Sequence, residues 1–126
     1  MTYREKAWKY FKTRNKYNNQ KTEYNGNKYD SKYESKVAQE LDIRIAAKDI
    51  KSYERQKKIS LDVNGYHICN YYVDFVVTHN DGRIEYLEAK STATMTPVFR
   101  VKWKLFEALY ADKVKNGEIL LTILIL

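Results

Sequence analysis

Asp74, Glu88 and Lys90 are the residues of this 126-residue chain whose types and spacing could do chemistry. In Glu88-Ala89-Lys90 an acid and an amine stand two residues apart, so on an extended strand both point to one side. Asp74 lies within Tyr71-Tyr72-Val73-Asp74-Phe75-Val76-Val77, a segment otherwise suited to burial. A carboxylate there costs free energy unless it is paired or bound to a metal. Between the two acids, His79-Asn80-Asp81-Gly82 reads as a hairpin loop. A loop centred on Asp81 sets Asp74 directly across from Glu88, with Tyr72, Asp74 and Val76 on one face. Opposed Cβ atoms on antiparallel strands lie about 4.5–5.5 Å apart. Two carboxylates so close repel; a divalent cation removes the repulsion, and oxygen ligands favour Mg²⁺ or Mn²⁺. An even-length loop would carry Glu88 to the other face and dissolve the site. In the competing reading Asp74 simply ends a strand, and Glu88 and Lys90 are ordinary exposed strand charges.

The elements that must position these residues follow from hydrophobic period and turn chemistry. Residues 1–15 are expected to form a short helix and 16–29 a polar arm or loop. Ser31 and Glu34 form a capping-box pattern ahead of Val37, Ala38, Leu41 and Ile45, whose spacing predicts a helix ending near Lys48. Glu34 lies on that apolar stripe, so it reads either as the cap partner of Ser31 or as a member of the site. Ile59, Leu61 and Val63 alternate into a strand that closes at Asn64-Gly65, and two further strands are expected over 66–78 and 84–90. Thr96 and Pro97 open a second helix running to about Lys115, with Phe99, Trp103, Phe106 and Tyr110 as an aromatic stripe. Trp103 reads as core. Ile119 to Leu126 suits a strand buried on both faces. The sum is an α/β domain over residues 30–126, with a mixed central sheet flanked by helices in the order α-β-β-β-α-β. A basic, Tyr-rich arm over 1–29 precedes it.

Charge and composition narrow the partners. Residues 1–36 hold ten Lys/Arg against four Asp/Glu, so they carry +6 of the +7 net charge, together with six of the twelve tyrosines. Basic groups interleaved with rings suit a polyanion with stackable bases, although a solvated tail would show the same skew. Cys69 is the single cysteine, which forbids an internal disulfide; with only His67 and His79 beside it, a zinc finger is excluded. A reducing, cytoplasmic setting is the expectation. Residues 1–20 show no apolar signal core, and the longest apolar run falls well short of the roughly 20 residues a spanning helix needs. No membrane role is expected.

Taken together these residues resemble the PD-(D/E)XK nuclease superfamily, and more closely small phage-encoded proteins described as Holliday-junction resolvase-like endonucleases. The likeness is carried by Lys21-Thr22-Glu23-Tyr24-Asn25-Gly26, Tyr29-Asp30-Ser31-Lys32-Tyr33-Glu34 and Glu54-Arg55-Gln56. It continues through Tyr72-Val73-Asp74-Phe75, Glu88-Ala89-Lys90-Ser91 and the run from Thr96 to Phe106. Val73 stands where the family's nominal proline would be. The resemblance implies a restriction-endonuclease-like core and Mg²⁺-dependent hydrolysis of DNA phosphodiesters, with Mn²⁺ able to substitute. It implies Asp74, Glu88, Glu34 and the Ala89 carbonyl as metal ligands and Lys90 as the catalytic amine. Gln56 and Ser31 would support the site, and Lys21, Lys32, Ser91, Arg100, Lys102 and Lys104 would contact DNA. Branched DNA as substrate implies a homodimer, since a four-way junction has two-fold symmetry. The rival expectations are a flap, single-strand or duplex nuclease of the same fold, a non-catalytic DNA-binding module, and an interaction protein with a basic arm.

Overall fold

Val37 and Ala38, four and three residues ahead of Leu41, are fully buried with it along one side of a helix, and that stripe packs on one face of a sheet. The structure, a computed structural model, describes residues 22–24, 27–29 and 32–125. Two short strands come first, β1 (Thr22–Tyr24) and β2 (Asn27–Tyr29), paired antiparallel and lying against the helix α1 (Lys32–Ala46). The expectation of an arm or loop over 16–29 is corrected for these six residues. Their sequence carries the cause: Asn25-Gly26 is a pair suited to two-residue hairpin connections. The expected helix over 1–15, Lys21 and the Ser31 cap lie outside the described residues. α1 stops where Lys48 takes a left-handed conformation (φ 62°), two residues short of the expected end.

A long hairpin follows. β3 (Ser52–Val63) pairs antiparallel with β4 (Tyr66–Thr78) through Asn64-Gly65, both residues at positive φ as the sharp turn requires. β3 begins seven residues before Ile59, where alternation first signals it. As an edge strand it tolerates the polar, largely exposed run from Ser52 to Lys58. β5 (Ile84–Lys90) returns antiparallel to β4, and β6 (Ile119–Ile125) runs parallel to β5. The sheet is therefore mixed, in the order β3-β4-β5-β6.

Between β5 and β6 stand a short 3₁₀ turn (Thr92–Thr94), α2 (Pro97–Leu109) and α3 (Ala111–Lys115). Thr96 accepts a hydrogen bond from the Phe99 N–H, and Pro97 fills the first helical position. The single helix expected to reach Lys115 is broken at Tyr110, whose ring is held inward by Phe106 and Tyr86. α3 buries no residue, so nothing keeps it in line with α2. β6 is also not buried on both faces as expected: most of its residues are half-exposed, because it forms the second edge of the sheet.

Two cores result. Val37, Ala38 and Leu41 of α1 pack on Phe75, Val77, Leu87 and Ala89, while Phe99, Trp103 and Phe106 of α2 pack on Tyr71, Val73, Val76 and Ile59. Helices thus flank the sheet. Among the described residues no helix is long and apolar enough to cross a membrane.

Candidate active site

The ladder between β4 and β5 runs from Thr78↔Ile84 to Phe75↔Leu87. That is the register expected from a loop centred on Asp81, and one further step brings Asp74 opposite Glu88. Beyond Phe75↔Leu87 the regular pairs stop, and the two carboxylates take over the backbone groups. The Ala89 N–H donates to Asp74 Oδ2 at 3.0 Å, and the Asp74 N–H donates to Glu88 Oε1 at 3.2 Å. Gln56, on β3, donates its amide to Asp74 Oδ1 at 3.2 Å. It does so from a left-handed backbone (φ 48°), at the point where the β3–β4 ladder skips the pair between Arg55↔Phe75 and Lys57↔Val73.

At this level β4 also turns over. Tyr71 and Val73 belong to the core under α2, whereas Phe75 and Val77 belong to the core under α1, although strict alternation would keep all four on one side. Asp74 stands at the changeover. Tyr72, expected to share its face, is instead exposed, and Tyr71 reaches the site: its hydroxyl donates to Glu88 Oε1. Sequence reasoning missed Tyr71, because alternation carries no signal for a strand that changes sides.

The electrostatics are unbalanced. Asp74 and Glu88 are both buried. Burial, reinforced by the Asp74 charge, pushes the Glu88 carboxyl up to about 9. Burial likewise raises Asp74, against hydrogen bonds from Ala89 and Gln56 and the Lys90 charge, which pull it down. Tyr71 is held neutral, its pKa raised by burial and by the Glu88 charge. Lys90 supplies positive charge, its Nζ 3.8 Å from Glu88 Oε2 and 4.3 Å from the centre of the Phe99 ring. Two acids thus share one ammonium, so a hard cation would be electrostatically welcome here.

Of the residues expected at the site, Asp74, Glu88, Lys90 and Gln56 come together around Ala89. Glu34 is buried on the first turn of α1. Among the described residues no three His, Cys, Asp or Glu side chains are gathered closely enough to hold a metal ion, so Glu34 is not joined to the pair as a third ligand. The helix that carries it packs its apolar stripe on Phe75, Leu87 and Ala89. Ser91 is buried, and the Thr94 hydroxyl lies 3.2 Å from its own. Lys102 is half-buried and donates to the Asn70 carbonyl at 3.0 Å. Lys32, Arg100 and Lys104 are exposed. Trp103 is core, as expected, between Phe99 and Phe106.

The chain belongs to the family described as "Protein of unknown function (DUF1064)", whose model matches residues 14–120 and so spans every residue named in this site. No curated protein and no solved structure matches the chain.

Proposed function

We propose that this protein is a metal-dependent endonuclease of the PD-(D/E)XK type that hydrolyses phosphodiester bonds in DNA, with branched DNA such as a four-way junction as its substrate. One observation carries the reading: Asp74 and Glu88 meet where β4 and β5 part, with Lys90 beside them. The element order α1, β3, β4, β5, α2, β6 is also the one that a restriction-endonuclease-like core would have.

The residues fit a Mg²⁺ or Mn²⁺ ion. Two buried carboxylates whose protons are held unusually tightly are a poor arrangement without a cation and a good one with it. Asp74, Glu88 and the backbone carbonyl of Ala89 would hold the ion, which would supply Lewis acidity at the scissile phosphate and a lowered pKa for a bound water. Lys90, steadied by Glu88 and the face of Phe99, orients the attacking water and offsets charge growing on the phosphoryl oxygens. Gln56 keeps Asp74 aimed. Arg100 and Lys104, exposed on α2, contact phosphates of the strand and fix its course without reading its sequence. The basic residues ahead of the β1–β2 hairpin add positive charge that draws in the polyanion, and a homodimer supplies the paired incisions a junction needs.

Incubating the protein with junction, flap and linear duplex in Mg²⁺ or EDTA, beside a Lys90→Ala variant, tests this. Incision of the junction in Mg²⁺ alone, lost in the variant, is expected. A wild-type protein that cuts none of the three would sink the reading. Preference for flap or duplex would retain the chemistry and correct the substrate. Sedimentation with and without junction checks the dimer.

A further inference from the structure

The oxygens of Glu88 differ in their partners. Oε1 accepts from two donors, the Tyr71 hydroxyl and the Asp74 N–H. A carboxylate oxygen has two lone pairs, so Oε1 is filled. Oε2 faces the Lys90 ammonium at 3.8 Å, outside hydrogen-bond range. The Asp74 side chain is also a hydrogen-bond partner of Glu88, through a proton that a cation would displace; with Oε1 filled, Glu88 then offers the cation one oxygen, not two.

Tyr71 cannot readily give up its place. It is 4% exposed, with Phe106, Trp103 and Phe99 ring centres at 5.5, 6.2 and 6.4 Å. Its hydroxyl reaches out of this aromatic cluster to Glu88.

We propose that Tyr71 sets the cation preference of the site: by filling Oε1 it makes Glu88 a one-oxygen ligand, which suits Mg²⁺ or Mn²⁺ and disfavours Ca²⁺. Mg²⁺ demands a tight octahedron of six oxygens, whereas Ca²⁺ gathers six to eight and commonly takes both oxygens of a carboxylate. The proposal rests on the metal-binding part of the reading above. Tyr71 is a positioning residue here, acting through Glu88 alone.

Calorimetric titration of the full chain with Mn²⁺ and with Ca²⁺, without DNA, tests it. In Tyr71→Phe the ring remains and the hydroxyl is gone, so Oε1 regains a lone pair. The ratio of the Ca²⁺ to the Mn²⁺ dissociation constant is expected to fall by about tenfold, the usual scale for losing a group that orients a ligand. Tyr71→Met removes the same hydroxyl with a flexible apolar chain and must move the ratio the same way should the first variant fold poorly. General loosening of the fold would weaken both ions together and leave the ratio unchanged. An unchanged ratio in a variant that still binds Mn²⁺ overturns the role of Tyr71 and leaves the endonuclease reading standing. A wild-type protein that binds neither ion, or an Asp74→Asn variant that binds both as before, overturns the site and this inference with it.

Discussion

β5 buries two glutamates, Glu85 and Glu88, each about 1% exposed and three residues apart, so they face opposite sides of the sheet. Their surroundings could hardly differ more. On the α1 side, Glu85 meets His79 Nε2 at 2.9 Å and accepts from the Thr122 hydroxyl at 2.6 Å, with the buried Arg44 guanidinium close enough to feel its charge. On the other side, Glu88 meets a second acid, a neutral tyrosine and a shared ammonium. Burial is the same; balance is not. A buried carboxylate answered by cationic and donor groups holds elements together, here α1, the loop after β4, and β6. A buried carboxylate answered by another carboxylate is costly to the fold and useful to chemistry.

Breaking either end separates the two roles. The largest effect is expected at the unbalanced end. Asp74→Asn and Lys90→Ala should each lower Mg²⁺-dependent incision by about 10²–10³-fold or more; thermal melting in EDTA should stay unchanged or rise in Asp74→Asn, which removes one of two opposed acids, and fall in Lys90→Ala, which removes the ammonium they share. A large loss of melting temperature in Asp74→Asn would mean that this acid, too, is structural.

Next comes the balanced end. Glu85→Ala takes from buried Arg44 the stronger of its two nearby acidic charges, Asp49 being the other, and equilibrium urea unfolding should show a loss of about 3–5 kcal/mol. A loss under 1 kcal/mol would erase the contrast.

The third expectation concerns pH. Glu88 in the folded protein holds its proton up to about 9, well above the ordinary glutamate value. Between those two values the folded chain binds more protons than the unfolded one. The stability that Glu88 contributes is therefore present at low pH and is lost as pH rises through the folded value. The slope from this group is at most about 1.4 kcal/mol per pH unit. Urea unfolding in EDTA should show this decline in the wild type and a flatter profile in Glu88→Gln. Adding Mn²⁺ should stabilise the wild type more at pH 8.5 than at pH 6. Coincident profiles for the two proteins would show that the Glu88 carboxyl titrates normally. The smallest effect belongs to Thr122→Val, which removes one hydrogen bond to Glu85. It should cost about 1.5–3 kcal/mol in the same assay and leave Mn²⁺ affinity alone.

Much of this arrangement is legible in the residues. Alternation and the Asn64-Gly65 and Asp81-Gly82 turn signals yield β4, β5 and their register, hence Asp74 across from Glu88. Thr96-Pro97 and the aromatic spacing yield the start of α2 and its buried face. Period and turn chemistry are local, and these features are local. The rest depends on tertiary packing. Nothing in the alternation of β4 announces that its inward side changes at Asp74, so Tyr71 and Tyr72 exchange the places that spacing gives them. The polar first half of β3 has no period to read, and its pairing is imposed by β4. The part Glu85 plays depends on β6, which brings Thr122 alongside, and on α1, which brings Arg44.

Gln56 holds one further consequence. A non-glycine residue in a left-handed conformation costs roughly 1–2 kcal/mol, and here that tension sits in an edge strand against a single amide bond to Asp74. Should Asp74 trade that amide for another ligand, the bond offsetting the tension is gone and the backbone at Gln56 gains by relaxing. The rim of the sheet is in this way sprung against its acid, and the edge strand stays under tension for as long as the Gln56 amide holds Asp74.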